Sequence, residues 1–300
     1  LQRYGLVRDE RSQVKMKKIF LALALCAGLC ACSSQSEQKV MARYVPERAD
    51  DFVFENNLIA GRIYGKALEG NPTSPGIDIW VKMPGGLVAD EWYAEAQKDP
   101  SYYHHNHGGK DCYKVAVSLG GGASVPYIDG ELWYPATNWR SYDMLEESTD
   151  KVVFVLHYPE WEAAGVKVSL DKKFTVTPDT YFTKVEDTYT VSGADSICVA
   201  AGVFRHPGQD TIEDELVGTD RYAIWEHASD QSVEPEDGML GVAVYVPGAE
   251  SVSVTPDGAH GICTRTVKSG EPFTYYFGSC WSKADVKTAA DWFDIVNKLK

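Results

Sequence analysis

The stretch VKVSLDKKFTVTPDTYFTKVEDTYTV, residues 166–191, decides the fold class. Its first half alternates apolar Val166, Val168 and Leu170 with polar residues, and the alternation resumes at Tyr181 after the turn signal TPDT. Successive side chains of a strand point to opposite faces, so a period of two indicates one packed face and one wet face. The stretch therefore predicts long strands of an antiparallel sheet.

The chain on either side continues this pattern. Segments rich in β-branched and aromatic residues recur, and the turn signals MPGG, VPGAE and TPDGAH lie between them. These segments include LIAGRIYG, GIDIWVKM, KVVFVLHY, GVAVYV and FTYYFG. Because they follow one another without intervening helices, we expect an all-β fold, a large antiparallel β-sandwich with a few short helices, rather than an α/β fold.

Two segments have helical character. VADEWYAEAQK, residues 88–98, has helix-forming composition and leads into a histidine-rich loop. The last segment begins with Ser282 and Asp285 in the spacing of a capping box. Its predicted apolar stripe is Val286, Ala290, Phe293 and Val296. We expect this C-terminal helix to pack against the sandwich.

The N-terminal region has the composition of an export signal. From Met16 the chain runs through two lysines and a short apolar segment to LCAC, and this segment is too short to span a bilayer. A leucine three positions before Cys32 resembles the bacterial lipoprotein box, which implies lipidation of Cys32; an ordinary signal peptide is the alternative. The expected organisation is an upstream, non-native segment (1–15), a lipoprotein signal peptide (16–31), a lipidated tether (32–47) and one domain (48–300).

Charge restricts the partners. The net charge is −14, and residues 1–32 hold six Lys or Arg and two Asp or Glu, which leaves −18 for the remainder. Such a surface repels nucleic acid and anionic lipid head groups. We therefore expect no nucleic-acid partner, and a membrane attachment that depends on the N-terminal lipid and not on charge. Together with the export signal, this predicts an exported protein that is lipid-anchored in the cell envelope, in the outer membrane. The further cysteines, which permit three pairings or free thiols, are Cys112, Cys198, Cys263 and Cys280.

The loop SYYHHNHGGKDCY, residues 101–113, concentrates groups that can move a proton or grip a sugar. Imidazole titrates near neutral pH, so His104 or His107 could exchange a proton with a sugar, and a carboxylate such as Asp111 could orient it. Asp111 and Tyr113 share a face if they lie on a strand. Sugar binding without catalysis, and a polar surface loop, remain alternatives. A metal at His104 and His107 is a further alternative that we do not favour, because no HExxH helix or second ligand cluster accompanies it.

Four other segments carry candidate residues. VFRHPGQD places Arg205 and His206 at the end of an apolar strand, where Arg205 could hold a carboxylate. AIWEHASD contributes Glu226, and FENNLIAGRIYG contributes Asn57 and Arg62. The segment ELWYPATNWR, which contains Trp139, is the best candidate for stacking on sugar rings. For each of them a packed or salt-bridged structural role is the alternative.

Several segments together resemble a Bacteroidota family, domain-of-unknown-function family 4861 (DUF4861). They are ENNLIAGRIYGKALEG, GIDIWVKM, SYYHHNHGGKDCYKVAVSLGGG and YYFGSCWS. The resemblance implies a secreted or lipidated protein of a polysaccharide-utilisation system with a galactose-mutarotase-like supersandwich, and it brings no settled activity. A looser similarity to mutarotase-like enzymes implies that Arg62 and His104 or His107 contact the sugar. It implies proton transfer by His206 or Glu226.

These observations predict a carbohydrate-active enzyme of the mutarotase, lyase or hydrolase type, acting on a plant or algal oligosaccharide or polysaccharide without a cofactor. A non-catalytic glycan-binding lipoprotein is the alternative. The candidate catalytic residues are His104, His107, Asp111, Tyr113, His206 and Glu226, and the candidate substrate-binding residues are Asn57, Arg62, Trp139 and Arg205. We expect these side chains to meet in one concave site.

Overall fold

The computed structural model describes residues 37–69, 76–208, 213–228 and 235–300, and residues Gln38–Lys300 form one compact unit. Within the described ranges the strands are β1 (Val40–Val45), β2 (Asp51–Asn56), β3 (Ala60–Ile63), β4 (Ile77–Lys82), β5 (Gly109–Asp111), β6 (Ser124–Ile128), β7 (Glu131–Leu132), β8 (Ser141–Glu147), β9 (Val152–Ala163), β10 (Val166–Val176), β11 (Phe182–Ser192), β12 (Ser196–Phe204), β13 (Glu213–Val217), β14 (Arg221–His227), β15 (Met239–Tyr245), β16 (Ser251–Val254), β17 (His260–Lys268) and β18 (Pro272–Trp281). The α-helices of these ranges are α1 (Ala89–Ala96) and α2 (Ala289–Lys298).

The strands form three antiparallel sheets. The first has the order β1-β2-β3-β4-β5, the second β13-β14-β15-β18-β11-β10-β9-β8, and the third β16-β17-β12-β6-β7. Residues 166–191 form β10 and nearly all of β11, which pair with each other from Lys167 opposite Ser192 to Thr175 opposite Lys184. The predicted all-β, antiparallel class is therefore confirmed.

One hydrophobic core joins the three sheets. Phe54 of the first sheet contacts Phe174 and Phe277 of the second, with ring centroids 6.2 and 5.6 Å apart. Gly261 of the third sheet lies against Tyr222 of the second so closely that a Cβ there would come within 1.9 Å of the ring. Both five-stranded sheets thus cover one face of the eight-stranded sheet, and the apolar core lies between them.

Helix α1 covers the other face of the first sheet. Buried Glu55 accepts hydrogen bonds from the backbone amides of Val88 (2.8 Å) and Ala89 (2.9 Å), so a carboxylate satisfies the helix N-terminus. Lys82 Nζ lies 2.5 Å from Glu55 and neutralises its charge inside the protein. The helix and the turn after it then pack Trp92 on Trp80, with ring centroids 5.5 Å apart.

Helix α2 begins later than the sequence predicts. Ser282 accepts a hydrogen bond from Met239 N instead of capping a helix, and Asp285 accepts one from the Tyr181 hydroxyl. Thr288 is the N-cap and accepts from Asp291 N at 3.2 Å. The buried stripe therefore shifts, and the predicted Ala290 is exposed. The buried residues of α2 are Ala289, Trp292 and Val296.

The folded part of the chain begins earlier than the sequence predicts, and the four described cysteines are free thiols. The segment 32–47 was expected to be a tether, but it contains β1, which pairs with β2 from Val40 to Val45, so the folded part begins before residue 48. Residues 1–36, with Cys32, lie outside the described ranges. Among the described residues no helix combines the length and apolar character needed to cross a membrane. Cys112, Cys263 and Cys280 are buried free thiols, and Cys198 is a half-buried one.

Candidate functional site

Arg62 lies at the centre of a buried ionic cluster on the α1 side of the first sheet. Its strand neighbour in register is Asp78, and Asp111 lies opposite Trp80 on the next strand, so the alternation of strand side chains places all three groups on one face. Arg62 Nε donates to Asp78 Oδ2 at 2.6 Å, and Nη2 donates to Asp111 Oδ2 at 2.7 Å. Asp51 Oδ2 lies 3.7 Å from Nη1.

Carboxylates outnumber cations in this cluster, and burial has a strong electrostatic effect. Desolvation raises the pKa of Asp51 to about 6. It raises the pKa of Asp78 to about 7, with repulsion from Asp111 as the next cause. The Arg62 guanidinium also packs 5.3 Å from the ring centroids of Tyr64 and Trp80. Arg62 is 2% exposed, so it serves this interior network rather than an open sugar site.

The histidine loop packs against this cluster. His104, half-buried in the turn after α1, has Nδ1 3.3 Å from the Asp111 carbonyl oxygen and 3.7 Å from Asp111 Oδ2. Desolvation lowers the pKa of His104, so the ring is neutral near pH 7. The exposed His107 stacks on Tyr102, with ring centroids 3.8 Å apart. The loop approaches β4 closely at Gly109 (φ 158°). A Cβ at this position would lie only 2.3 Å from Val81 O, so a residue with a side chain would not fit.

Tyr113, His206 and Glu226 form a second buried group. The ring of Tyr113 meets the His206 ring edge to face, with centroids 4.9 Å apart. His206 Nδ1 lies 2.6 Å from Glu226 Oε1, and Nε2 lies 2.7 Å from the Lys114 carbonyl oxygen. A carbonyl oxygen can only accept, so Nε2–H donates to Lys114 O and Nδ1 pairs with the Glu226 carboxyl group. Neither nitrogen is left for a substrate.

Two predicted substrate-binding residues, Arg205 and Asn57, lie outside both clusters. Arg205 Nη1 donates to Gly258 O at 2.9 Å and Nη2 donates to Asp214 at 3.1 Å, so its fork is engaged within the protein. Asn57 exchanges hydrogen bonds with Asp179 in a turn, at 2.9 and 2.8 Å. The expectation of one open cleft shared by all candidate residues is therefore wrong. The buried candidate residues form two packed clusters instead. Within each cluster they pair with one another or with the backbone, because an unpaired charge in the interior of a sandwich is costly.

Trp139 is the predicted residue that borders an open pocket, of about 390 Å³. Its ring lies edge to face with Tyr44 and with Tyr142, at centroid distances of 5.9 and 6.1 Å. Trp139 is buried, whereas Tyr142 is 39% exposed and presents its ring to solvent. We refer to this cavity as the Trp139 pocket. It is lined by Tyr44, Asp50, Lys66, Trp139, Arg140, Ser141 and Tyr142.

Polar groups surround these rings in fixed positions. The Tyr44 hydroxyl donates to Asp50, and Arg140 forks onto both carboxylate oxygens of Glu69, with Nη2 to Oε2 at 3.0 Å. No sequence pattern pointed to Tyr44, Asp50, Lys66 or Tyr142. The signal that pointed here was the segment ELWYPATNWR, which ends in Trp139 and Arg140. In the described ranges no group of three or more His, Cys, Asp or Glu is arranged to hold a metal ion.

Comparisons with known proteins place the chain in a family. It is 29% identical over 266 residues to Uncharacterized protein P7 of Formosa agariphila, which covers 84% of this chain and 64% of that protein. The chain thus spans less than two thirds of this relative. Among solved structures it is similar to the GH36 alpha-galactosidase AgaB of Geobacillus stearothermophilus (TM-score 0.40, 12% identity, 82% of this chain and 41% of that chain). It is also similar to a galactose mutarotase related enzyme of Lactobacillus acidophilus (0.34, 9%, 78% and 98%). The DUF4861 sequence profile matches residues 10–300, and the chain therefore belongs to this family, described as a domain of unknown function.

Proposed function

We propose that this protein binds carbohydrate in the Trp139 pocket. The observation that carries the proposal is the combination of an exposed aromatic face, Tyr142, with rigid polar groups around it. The C–H face of a sugar ring packs on an aromatic ring, and its hydroxyl groups hydrogen-bond to charged and polar side chains. The edge-to-face contact with buried Trp139 holds the Tyr142 ring in place before a ligand arrives.

The geometry favours binding over the acid–base enzyme that the sequence predicted. Arg62, Asp111, His206 and Glu226 are each 3% exposed or less and hydrogen-bond within the protein, so they are out of reach of a sugar in solvent. His107 is exposed, but it packs against Tyr102. The polar groups at the Trp139 pocket are suited to recognition, and no imidazole lines it.

Glycan binding is tested with Tyr142→Ala, and Leu145→Ala is the matched control. Both side chains are exposed on β8, Tyr142 by 39% and Leu145 by 58%, and Leu145 does not line the pocket. Purified protein is screened against plant and algal oligosaccharides, with calorimetry for binding and with absorbance and reducing-end assays for turnover. We expect Tyr142→Ala to weaken binding about tenfold, or about 1.4 kcal/mol, and Leu145→Ala to leave it unchanged.

Three results would overturn this assignment. They are no binding across the whole panel, equal affinity in the wild type and Tyr142→Ala, and turnover by the wild type that Tyr142→Ala leaves intact. The last result would restore the enzyme hypothesis.

The cellular setting proposed here is the outer membrane, with attachment through a lipid on Cys32. This proposal rests on the signal-like segment before Cys32 and on the Ser-rich stretch after it. A lipid at this position would hold the glycan-binding domain near polysaccharide at the cell envelope.

A further inference from the structure

A second pocket, of about 360 Å³, opens where four parts of the chain meet. They are the segment at Val117, the short strand β7, the end of β12 at Phe204, and the turn Thr255–His260 between β16 and β17. None of its lining residues belongs to the Trp139 pocket. The segment ELWYPATNWR nevertheless serves both sites, because Glu131 and Tyr134 lie here and Trp139 lies at the other.

The turn is built rigidly around one carboxylate. Asp257 Oδ1 accepts hydrogen bonds from the Thr255 hydroxyl at 2.6 Å and from Ala259 N at 3.0 Å. The Thr255 hydroxyl is in turn 3.0 Å from His260 N, and Gly258 supplies the positive φ (75°) that closes the turn. The hydrogen bond from Thr255 lowers the pKa of Asp257, so this exposed carboxylate is charged at neutral pH.

His260 is one of the lining residues, and one of its ring nitrogens is buried. Its Nε2 accepts a hydrogen bond from Leu119 N at 3.3 Å, so the ring proton is on Nδ1. Among the described residues Nδ1 has no hydrogen-bond partner, although the side chain is 5% exposed. Burial lowers the pKa of His260 to about 4, so the ring is neutral. A buried donor without an acceptor is rare, and a bound ligand or water is a usual explanation.

The charges of this pocket restrict its ligand. Glu131 and Asp257 are exposed carboxylates, and no lysine or arginine is among the described lining residues. The two carboxylates repel an anionic ligand, and their oxygens accept hydrogen bonds from hydroxyl groups. Tyr134, Phe204 and Leu132 add the apolar surface on which a sugar ring packs.

We infer that this pocket is a second saccharide-binding site, selective for uncharged sugar units, in which Glu131 and Asp257 accept ligand hydroxyl protons and His260 donates from Nδ1. The inference rests on the proposed glycan-binding function and extends it to a site of different charge. The two sites would then hold different parts of one polysaccharide.

The test is carried out on Tyr142→Ala protein, in which the Trp139 pocket is impaired. The imidazole ¹⁵N and ¹H resonances of His260 are followed by NMR while cellohexaose, xylohexaose or mannohexaose is added, and trigalacturonate serves as the anionic probe. We expect a saturable shift of the His260 Nδ1–H signal with at least one neutral probe and at least about tenfold weaker binding of trigalacturonate.

A blocking variant links this shift to the pocket. Val117 is 58% exposed and lines the pocket, so Val117→Trp fills it without removing core contacts, and Leu145→Trp adds the same ring away from it. We expect Val117→Trp to abolish the shift and Leu145→Trp to preserve it. Unmoved His260 resonances with every neutral probe, equal binding of trigalacturonate, or an unaffected shift in Val117→Trp would each overturn the inference. A shift in a protein whose Tyr142 proved irrelevant would leave this site standing and remove the first.

Discussion

Substitution of Glu226 gives the sharpest test of whether the buried candidate residues have a structural or a catalytic role. The sequence predicts that it is catalytic, whereas in the structure it is fully buried, 2.6 Å from His206 Nδ1. The informative change is Glu226→Ala, with Glu226→Gln as the isosteric variant. The control is Glu213→Ala, because Glu213 is exposed on β13, the strand that pairs with β14.

The expected size of the effect follows from the burial of the pair. Removing one partner of such a buried acid–base pair costs about 3–5 kcal/mol, because the group that remains is desolvated and has lost its partner. For a domain of this size each kcal/mol corresponds to roughly 2–4 °C, so Glu226→Ala should melt roughly 6–20 °C lower. Glu226→Gln keeps the shape and loses the charge, so we expect a loss of about 1.5–3 kcal/mol. The control should stay within about 0.5 kcal/mol of the wild type.

Two measurements decide the question. Thermal unfolding is followed by circular dichroism, and oligosaccharide binding and turnover are measured well below the lowest melting temperature. We expect lower melting temperatures with unchanged glycan affinity in the folded protein. A Glu226→Gln variant that melts like the wild type and has lost turnover of a glycan would refute the structural role and show that the carboxylate does chemistry.

Two further predictions concern pH and attachment. The pKa values of Asp51 and Asp78, about 6 and about 7, lie above their unfolded value, so the folded state holds these protons more tightly and unfolding free energy falls as pH rises from about 4 to 7. Asp78→Asn should make that fall shallower in urea titrations, and an identical pH dependence would contradict the assignment. Cys32→Ser in the full chain should move the protein from the membrane fraction to the soluble fraction, and retention in the membrane would exclude lipid attachment at Cys32.

The strand pattern could be predicted because it depends on local sequence. Alternation in residues 166–176 and 182–192 follows from the need to bury one face, and both segments are strands. The predicted helix at 88–98 appears as Ala89–Ala96. The start of the C-terminal helix could not be predicted, because Ser282 bonds to Met239, a partner 43 residues away. Ser282 and Asp285 have the spacing of a capping box, but the Ser282 hydroxyl accepts a hydrogen bond from Met239 N and does not cap a helix.

The fold class, and the positions of the charged and imidazole side chains, could be read from the sequence. The role of each side chain depends on the folded arrangement. Register across β3, β4 and β5 gathers Arg62 with Asp78 and Asp111 in the interior, and a carboxyl group and a carbonyl group engage the two nitrogens of His206. It also brought together Tyr44 and Tyr142, which lie 98 residues apart, at a ring distance of 5.7 Å. Periodicity encodes which face of a strand is buried, whereas partners across sheets depend on packing between distant segments, which no local pattern records.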